Sequence, residues 1–338
     1  MMDIPLIGIT VLWTFLYGYL IVASIDFGAG FFAFYGKIAK KDHIINKIIS
    51  RYLSPVWEVT NVFFVFFFVG IVGFFPQTAY YYGTALLIPG SIALILLTIR
   101  GSFYAFGNYG SKDSKFYTFL YGATGLLIPA SLSIALTISE GGFLEEKDGT
   151  VVLLAKELFS SFYSWSVVLL AIVSVLFISA TFLTYYANRA RDVEAQEILR
   201  KYALFWAPPT ILASLLVFIS LEQHNPRHFY NALDVWWMFA LSLLCFLFAT
   251  WFIFKEKRFG TAFILVMFQF FFAFFGYGAS HLPYILDPYV TIYTAYTNET
   301  MGLTLTIVFI LGLLLLIPSL ILLMKLFLFD ADYVKGKK

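Results

Sequence analysis

The chain has 338 residues, of which 61% are hydrophobic and 12% charged, and its mean hydropathy is +0.85. Such a composition cannot be arranged as a soluble globule, so it specifies a polytopic membrane protein. The net charge of +2 says less than its distribution: basic residues cluster in short segments between apolar runs, which encodes orientation, and no nucleic-acid surface is expected.

A bilayer core takes roughly 20 apolar residues per helix. On that ruler nine spans are predicted, at about 5–36, 54–76, 78–100, 116–138, 160–187, 202–220, 234–254, 259–280 and 303–328. The fold class is all-α, a membrane helical bundle, because runs such as Phe63 to Phe68 lack the alternation of a barrel strand. The first span keeps its place as a helix, since it lacks the basic start of a cleaved signal. Between the first two spans lie Lys37, Lys40, Lys41, Lys47 and Arg51 against one acid, Asp42. That loop is expected in the cytoplasm, with the N-terminus outside. Alternation then puts inside Arg100, Lys112 and Lys115, then Arg189, Arg191, Arg200 and Lys201, the Lys255, Lys257, Arg258 turn, and the tail with Lys335, Lys337 and Lys338. A long outward loop carries Glu140, Glu145, Glu146 and Asp148. Nine spans, N-out and C-in, satisfy every loop. No linker divides the chain, so residues 1–338 form a single membrane domain. No repeat is visible, although the topology allows two groups of four helices plus a peripheral ninth.

A redox cofactor would need axial ligands inside the bundle. His43, His224, His228 and His281 all fall in loops or at span ends. His224 and His228 have helical spacing, but Pro226 between them argues against a shared metal-binding face. Met238, Met267 and Met324 read as apolar filling. The single Cys245 excludes an internal disulfide or a thiolate cluster. The sequence therefore offers no haem or metal site in this chain.

What remains is a sparse set of ionisable groups at membrane depth. Asp26 interrupts an uncharged run from Ile4 to Tyr35, at about 8–9 Å from the predicted midplane on the cytoplasmic side. An intramembrane carboxylate is by default functional. In the second span Ser54 reads as an N-cap with Pro55 at the first helical position, which puts Glu58 in the first turn and Asn61 about a turn deeper. Arg100 ends the third span on the same side. Glu58 suits a helix dipole and Arg100 could snorkel to the interface. Gly28 and Gly30 would let a neighbouring helix approach Asp26 closely. A carboxyl reached from the cytoplasm is also what proton uptake requires.

These residues resemble subunit II of the cytochrome bd quinol oxidases. That family carries Asp-Gly-Phe-Asp-x-Gly in its first helix, and the stretch Ala23 to Gly28 keeps the second Asp, as Asp26, and the Gly. Its second helix begins Pro-x-Trp-Asp/Glu-Gly-Asn-Gln/Glu-Val-Trp; Pro55, Trp57, Glu58 and Val62 match, whereas Val59, Thr60 and Phe63 depart. Arg100 and the run Leu303-Thr304-Leu305 are also similar. The resemblance covers the whole chain. It implies a non-haem subunit that stabilises subunit I, the holder of the b-type and d-type haems and of the quinol site. It implies a cytoplasmic proton path through Asp26 and Glu58, with Trp57, Arg100 and Asn61 in support. A structural quinone or lipid in some relatives, and room for a small single-helix accessory subunit, belong to the same implication. The competing class is a secondary transporter or cation channel with Asp26 as coupling site, although no second half carries matching broken helices.

Overall fold

The computed structural model describes residues 3–107, 115–323 and 325, and the side chains of 42, 46, 47, 50–59 and 103–107 lie outside that description. In chain order the elements are α1 (Ile4–Ile38), α2 (Asp42–Phe74), α3 (Gln77–Ala85), α4 (Leu87–Gly107), α5 (Lys115–Ser139), β1 (Leu144–Lys147), β2 (Thr150–Leu153), α6 (Ala155–Ser160), α7 (Phe162–Ala190), α8 (Val193–His224), α9 (Pro226–Asp234), α10 (Trp236–Phe254), α11 (Phe259–His281), β3 (Tyr284–Leu286), β4 (Val290–Thr291) and α12 (Glu299–Leu323).

The predicted spans fall on helix, save that residues 324 and 326–328 of the last lie outside the described residues. Among the described residues, seven helices are long and apolar enough to cross a membrane by themselves: α1, α5, α7, α8, α10, α11 and α12. The predicted span at 78–100 is instead a broken pair, α3 and α4, bent by 76°. Pro89, the third residue of α4, marks the restart, because a proline is at home in the first turn of a helix.

The start of α2 also differs from expectation. Ser54 is not its N-cap, since the helix runs unbroken from Asp42. Tertiary packing decides this: Ile45, Ile48 and Ile49 recur on one helical face and are buried in the core, and burial of such a face outweighs a local cap signal.

The first group of helices packs α1 on α2 and α5, and α4 on α5. In the second, α7 lies along α8, α10 along α11, and α11 against α7. The groups meet where α7 lies against α1 and α5, and α12 leans on α1 and α2. Loop contacts gather several helix ends. The Tyr293 hydroxyl donates to Asp3 at 2.8 Å, Thr297 N–H to the Phe74 carbonyl at 2.9 Å and Asp287 N–H to that of Ser139 at 2.9 Å, so these ends share one face. Arg200, early in α8, pairs with Glu256 after α10 at 2.8 Å, joining two basic segments.

The acidic loop after α5 is a hairpin. β1 and β2 pair antiparallel with Lys147 opposite Thr150, and Asp148 and Gly149 turn the chain with φ of 51° and 72°, the Asp-Gly pattern of a tight hairpin turn.

Helices α1 and α7 approach closely at Gly28, where an added Cβ would lie 2.3 Å from the Ser179 Cβ. The Ser179 hydroxyl donates to the Ile25 carbonyl at 2.9 Å. Interhelical hydrogen bonds in membranes are worth about 0.6 kcal/mol on average. Ser179→Ala is therefore expected to leave assembly intact and barely move the thermal midpoint of the purified protein; loss of the protein from the membrane would contradict this.

Candidate functional site

Asp26 sits two-thirds of the way along α1, in a stretch from Ala23 to Gly30 that is buried throughout. Arg100 on α4 reaches it rather than the interface. Its side chain is 1% exposed and that of Asp26 4%, with Nε 2.9 Å from Oδ2. The guanidinium uses its other nitrogens as well. Nη2 donates to the Asp26 carbonyl at 2.5 Å, and Nη1 to the Tyr121 carbonyl at 2.9 Å and the Thr124 hydroxyl at 3.4 Å. The Tyr121 hydroxyl donates to Asp26 Oδ1 at 3.2 Å.

Both carboxylate oxygens are thus engaged, and α1, α4 and α5 are tied at one point. The Arg100 Cζ lies 4.1 Å from the Tyr121 ring centroid and 5.3 Å from that of Phe27, so aromatic faces cover the cation where water is excluded. Close backbone approach makes this possible. A Cβ at Gly30 would lie 3.0 Å from Nη1 and 2.7 Å from the Tyr121 carbonyl oxygen, and one at Gly125 would lie 2.2 Å from that of Phe27.

Of the residues the sequence singles out, the structure brings Asp26 and Arg100 together. Asn61 lies half-buried on α2. The backbone at Trp57 and Glu58 is helical, and their side chains lie outside the described residues. Tyr121 and Thr124 were missed. A signal exists: Thr118, Tyr121, Gly122 and Gly125 recur at the spacing of one helix face and are all buried, the small-and-polar stripe that membrane helices use for packing.

A second buried polar group gathers where the end of α5, α9 and the end of α11 meet. Glu140, the first residue after α5 and one of the acids of the loop that follows it, is 3% exposed. His228 on α9 turns Nδ1 to its two oxygens at 2.9 and 2.8 Å, Asn225 Nδ2 donates to Oε2 at 3.1 Å, and the Tyr277 hydroxyl donates to Oε1. Burial raises the Glu140 carboxyl, but the His228 hydrogen bond and the neighbouring imidazoles outweigh it and hold the group below the usual carboxylate range. His224 does not join His228; its ring stacks between Phe143 and Tyr163, with centroids at 4.8 and 5.0 Å. An apolar groove of about 390 Å³ lies between α8 and α10, lined by Leu204, Pro208, Ile211 and Phe246 among others.

The family model for cytochrome bd terminal oxidase subunit II matches residues 4–327. A Bacillus subtilis protein described as a putative cytochrome bd menaquinol oxidase subunit II is 34% identical over 344 aligned positions, covering 98% of each chain. Among solved structures, a chain of the bd oxidase from Geobacillus thermodenitrificans is 60% identical, with a TM-score of 0.86 over 97% of this chain and 100% of that one.

Proposed function

Since the chain belongs to the cytochrome bd terminal oxidase subunit II family, we propose that it stabilises a haem-bearing subunit I and supplies a cytoplasmic proton path toward the haems. It is a subunit of a quinol oxidase, an oxidoreductase complex, and a multi-pass protein of the cytoplasmic membrane. In the proposal the b-type and d-type haems and the quinol site reside in subunit I, and menaquinol, named for the Bacillus relative, is the electron donor. The N-terminus faces outward, so Asp26 and Glu58 are approached from the cytoplasm.

One observation carries the reading: a carboxylate at membrane depth, buried with a cation and a tyrosine hydroxyl. Fixed polar groups in a water-poor setting are what a proton relay needs, and intramembrane ionisable residues concentrate there. Asp26 also ties α1 to α4 and α5, so the same group serves stability. The partner role rests on the apolar faces left outside the bundle; only 17% of the apolar window of α12 and 22% of that of α10 is buried. The groove between α8 and α10 suits a lipid or quinone tail. The transporter alternative loses its footing, because the family match spans nearly the whole chain.

The test must separate conduction from assembly. Asp26→Asn alone strands a buried cation, so the informative variant is Asp26→Asn with Arg100→Met, which removes both charges. A conducting Asp26 predicts normal haem content and a normal reduced-minus-oxidised spectrum, with quinol oxidase turnover down about tenfold or more, equivalent to a barrier raised by about 1.4 kcal/mol. Wild-type turnover with intact haems would refute conduction through Asp26.

A further inference from the structure

We propose that Glu140, His228 and His281 form a binding site for a divalent transition-metal ion of the zinc class at the outward face of the bundle. One carboxylate oxygen and one ring nitrogen from each histidine all lie within 4.8 Å of one another, and all three residues are buried. They come from separate elements: Glu140 follows α5, His228 stands on α9 and His281 is the last residue of α11.

His281 is the residue that hydrogen bonding leaves unexplained. Its side chain is 9% exposed and its Nδ1 lies 3.5 Å from Glu140 Oε1, yet neither ring nitrogen has a hydrogen-bond partner. A buried imidazole without partners is unfavourable. A metal ion between the three groups would take up its lone pair.

The distances and surroundings suit such an ion. Zinc holds nitrogen and oxygen ligands at about 2.0–2.2 Å, so tetrahedral donors stand roughly 3.3 Å apart. The His281–Glu140 separation of 3.5 Å is near that value, His228 would move outward by about half an ångström from its present hydrogen bond, and the donor atoms as a set, which lie within 4.8 Å of one another, would draw together around the ion. The second ring nitrogen of His228 lies 2.7 Å from the Ser280 hydroxyl and 3.3 Å from the Tyr277 carbonyl, groups that can accept its N–H when Nδ1 is on a metal. Tyr277 and Asn225 orient the Glu140 carboxylate. Outer partners of this kind fix ligand tautomer and direction. Two imidazoles and one carboxylate favour zinc and its neighbours over calcium or magnesium, which prefer oxygen alone. Spacing in the sequence could not reveal the set, since its members are far apart along the chain.

The test uses the intact complex in mild detergent, incubated with zinc sulfate, desalted, and measured for metal by mass spectrometry. The wild type is expected to retain about one zinc more than the His281→Ala complex. Equal retention by the two would overturn the proposal. Should His281→Ala fail to assemble, zinc-edge X-ray absorption on the wild type decides. A shell of two imidazoles and a carboxylate oxygen supports the site, whereas sulfur ligands, an oxygen-only shell or no retained zinc refutes it.

Discussion

Arg100→Met is expected to destabilise the protein by about 3–5 kcal/mol, the range for stranding one partner of a buried ion pair. At least four donor contacts would be lost at once, to Asp26 Oδ2, the Asp26 carbonyl, the Tyr121 carbonyl and Thr124. The Asp26 carboxylate would keep the Tyr121 hydroxyl but lose its counter-ion in a setting where charge is poorly tolerated. Adding Asp26→Asn should recover most of the loss, because a pair removed together leaves no buried charge behind. Thermal midpoints and haem retention of the purified complexes would measure all corners of this cycle. Single and double variants of equal stability would mean that the pair does not hold the three helices together.

Gly125→Ala is expected to be the next most damaging change, at about 1–3 kcal/mol for overpacking a tight contact. On intrinsic helix propensity alone the substitution would stabilise, by about 1 kcal/mol. Its sign is set by geometry: the new methyl would lie 2.2 Å from the Phe27 carbonyl oxygen, which is backbone and cannot swing away, and 3.5 Å from Arg100 Nη1. Separating α1 from α5 there would also loosen the Asp26–Arg100 pair. Gly90→Ala in α4 is the control, since its nearest neighbour would be the Leu86 Cβ at an ordinary 3.7 Å. A lower midpoint for Gly125→Ala, with that of Gly90→Ala unchanged or raised by its helix propensity, is the expected result. Equal midpoints would show that the α1–α5 contact yields easily.

The fold class and the positions of the apolar segments were legible because hydropathy and length are local properties of the chain. Asp26 stood out for the same reason, as a lone charge in an apolar run. Its partners did not. Arg100 at a span end reads as an interfacial cation until α4 is seen to carry it inward, and Tyr121 and Thr124 act through a carbonyl and two hydroxyls that sequence cannot aim. The 76° bend between α3 and α4 escaped because hydropathy continues across it, although Pro89 marked the restart. Glu140 was hidden among the acids of the loop after α5; only the return of α9 and the end of α11 bury it. Where a property depends on which helices become neighbours, composition is silent.

The pairing of Asp26 with a residue 74 positions later has a consequence for biogenesis. At the usual pace of about 5–20 residues per second, Arg100 leaves the ribosome roughly 4–15 s after Asp26 does, and Tyr121 later still. During that interval the first helix must reside in the insertion machinery or the bilayer with its carboxylate lacking the guanidinium that later covers it. The timetable of synthesis, and not the finished fold alone, thus limits how polar this helix can be, and a nascent chain halted before α4 would present the cell with an acidic helix that has nothing yet to close on.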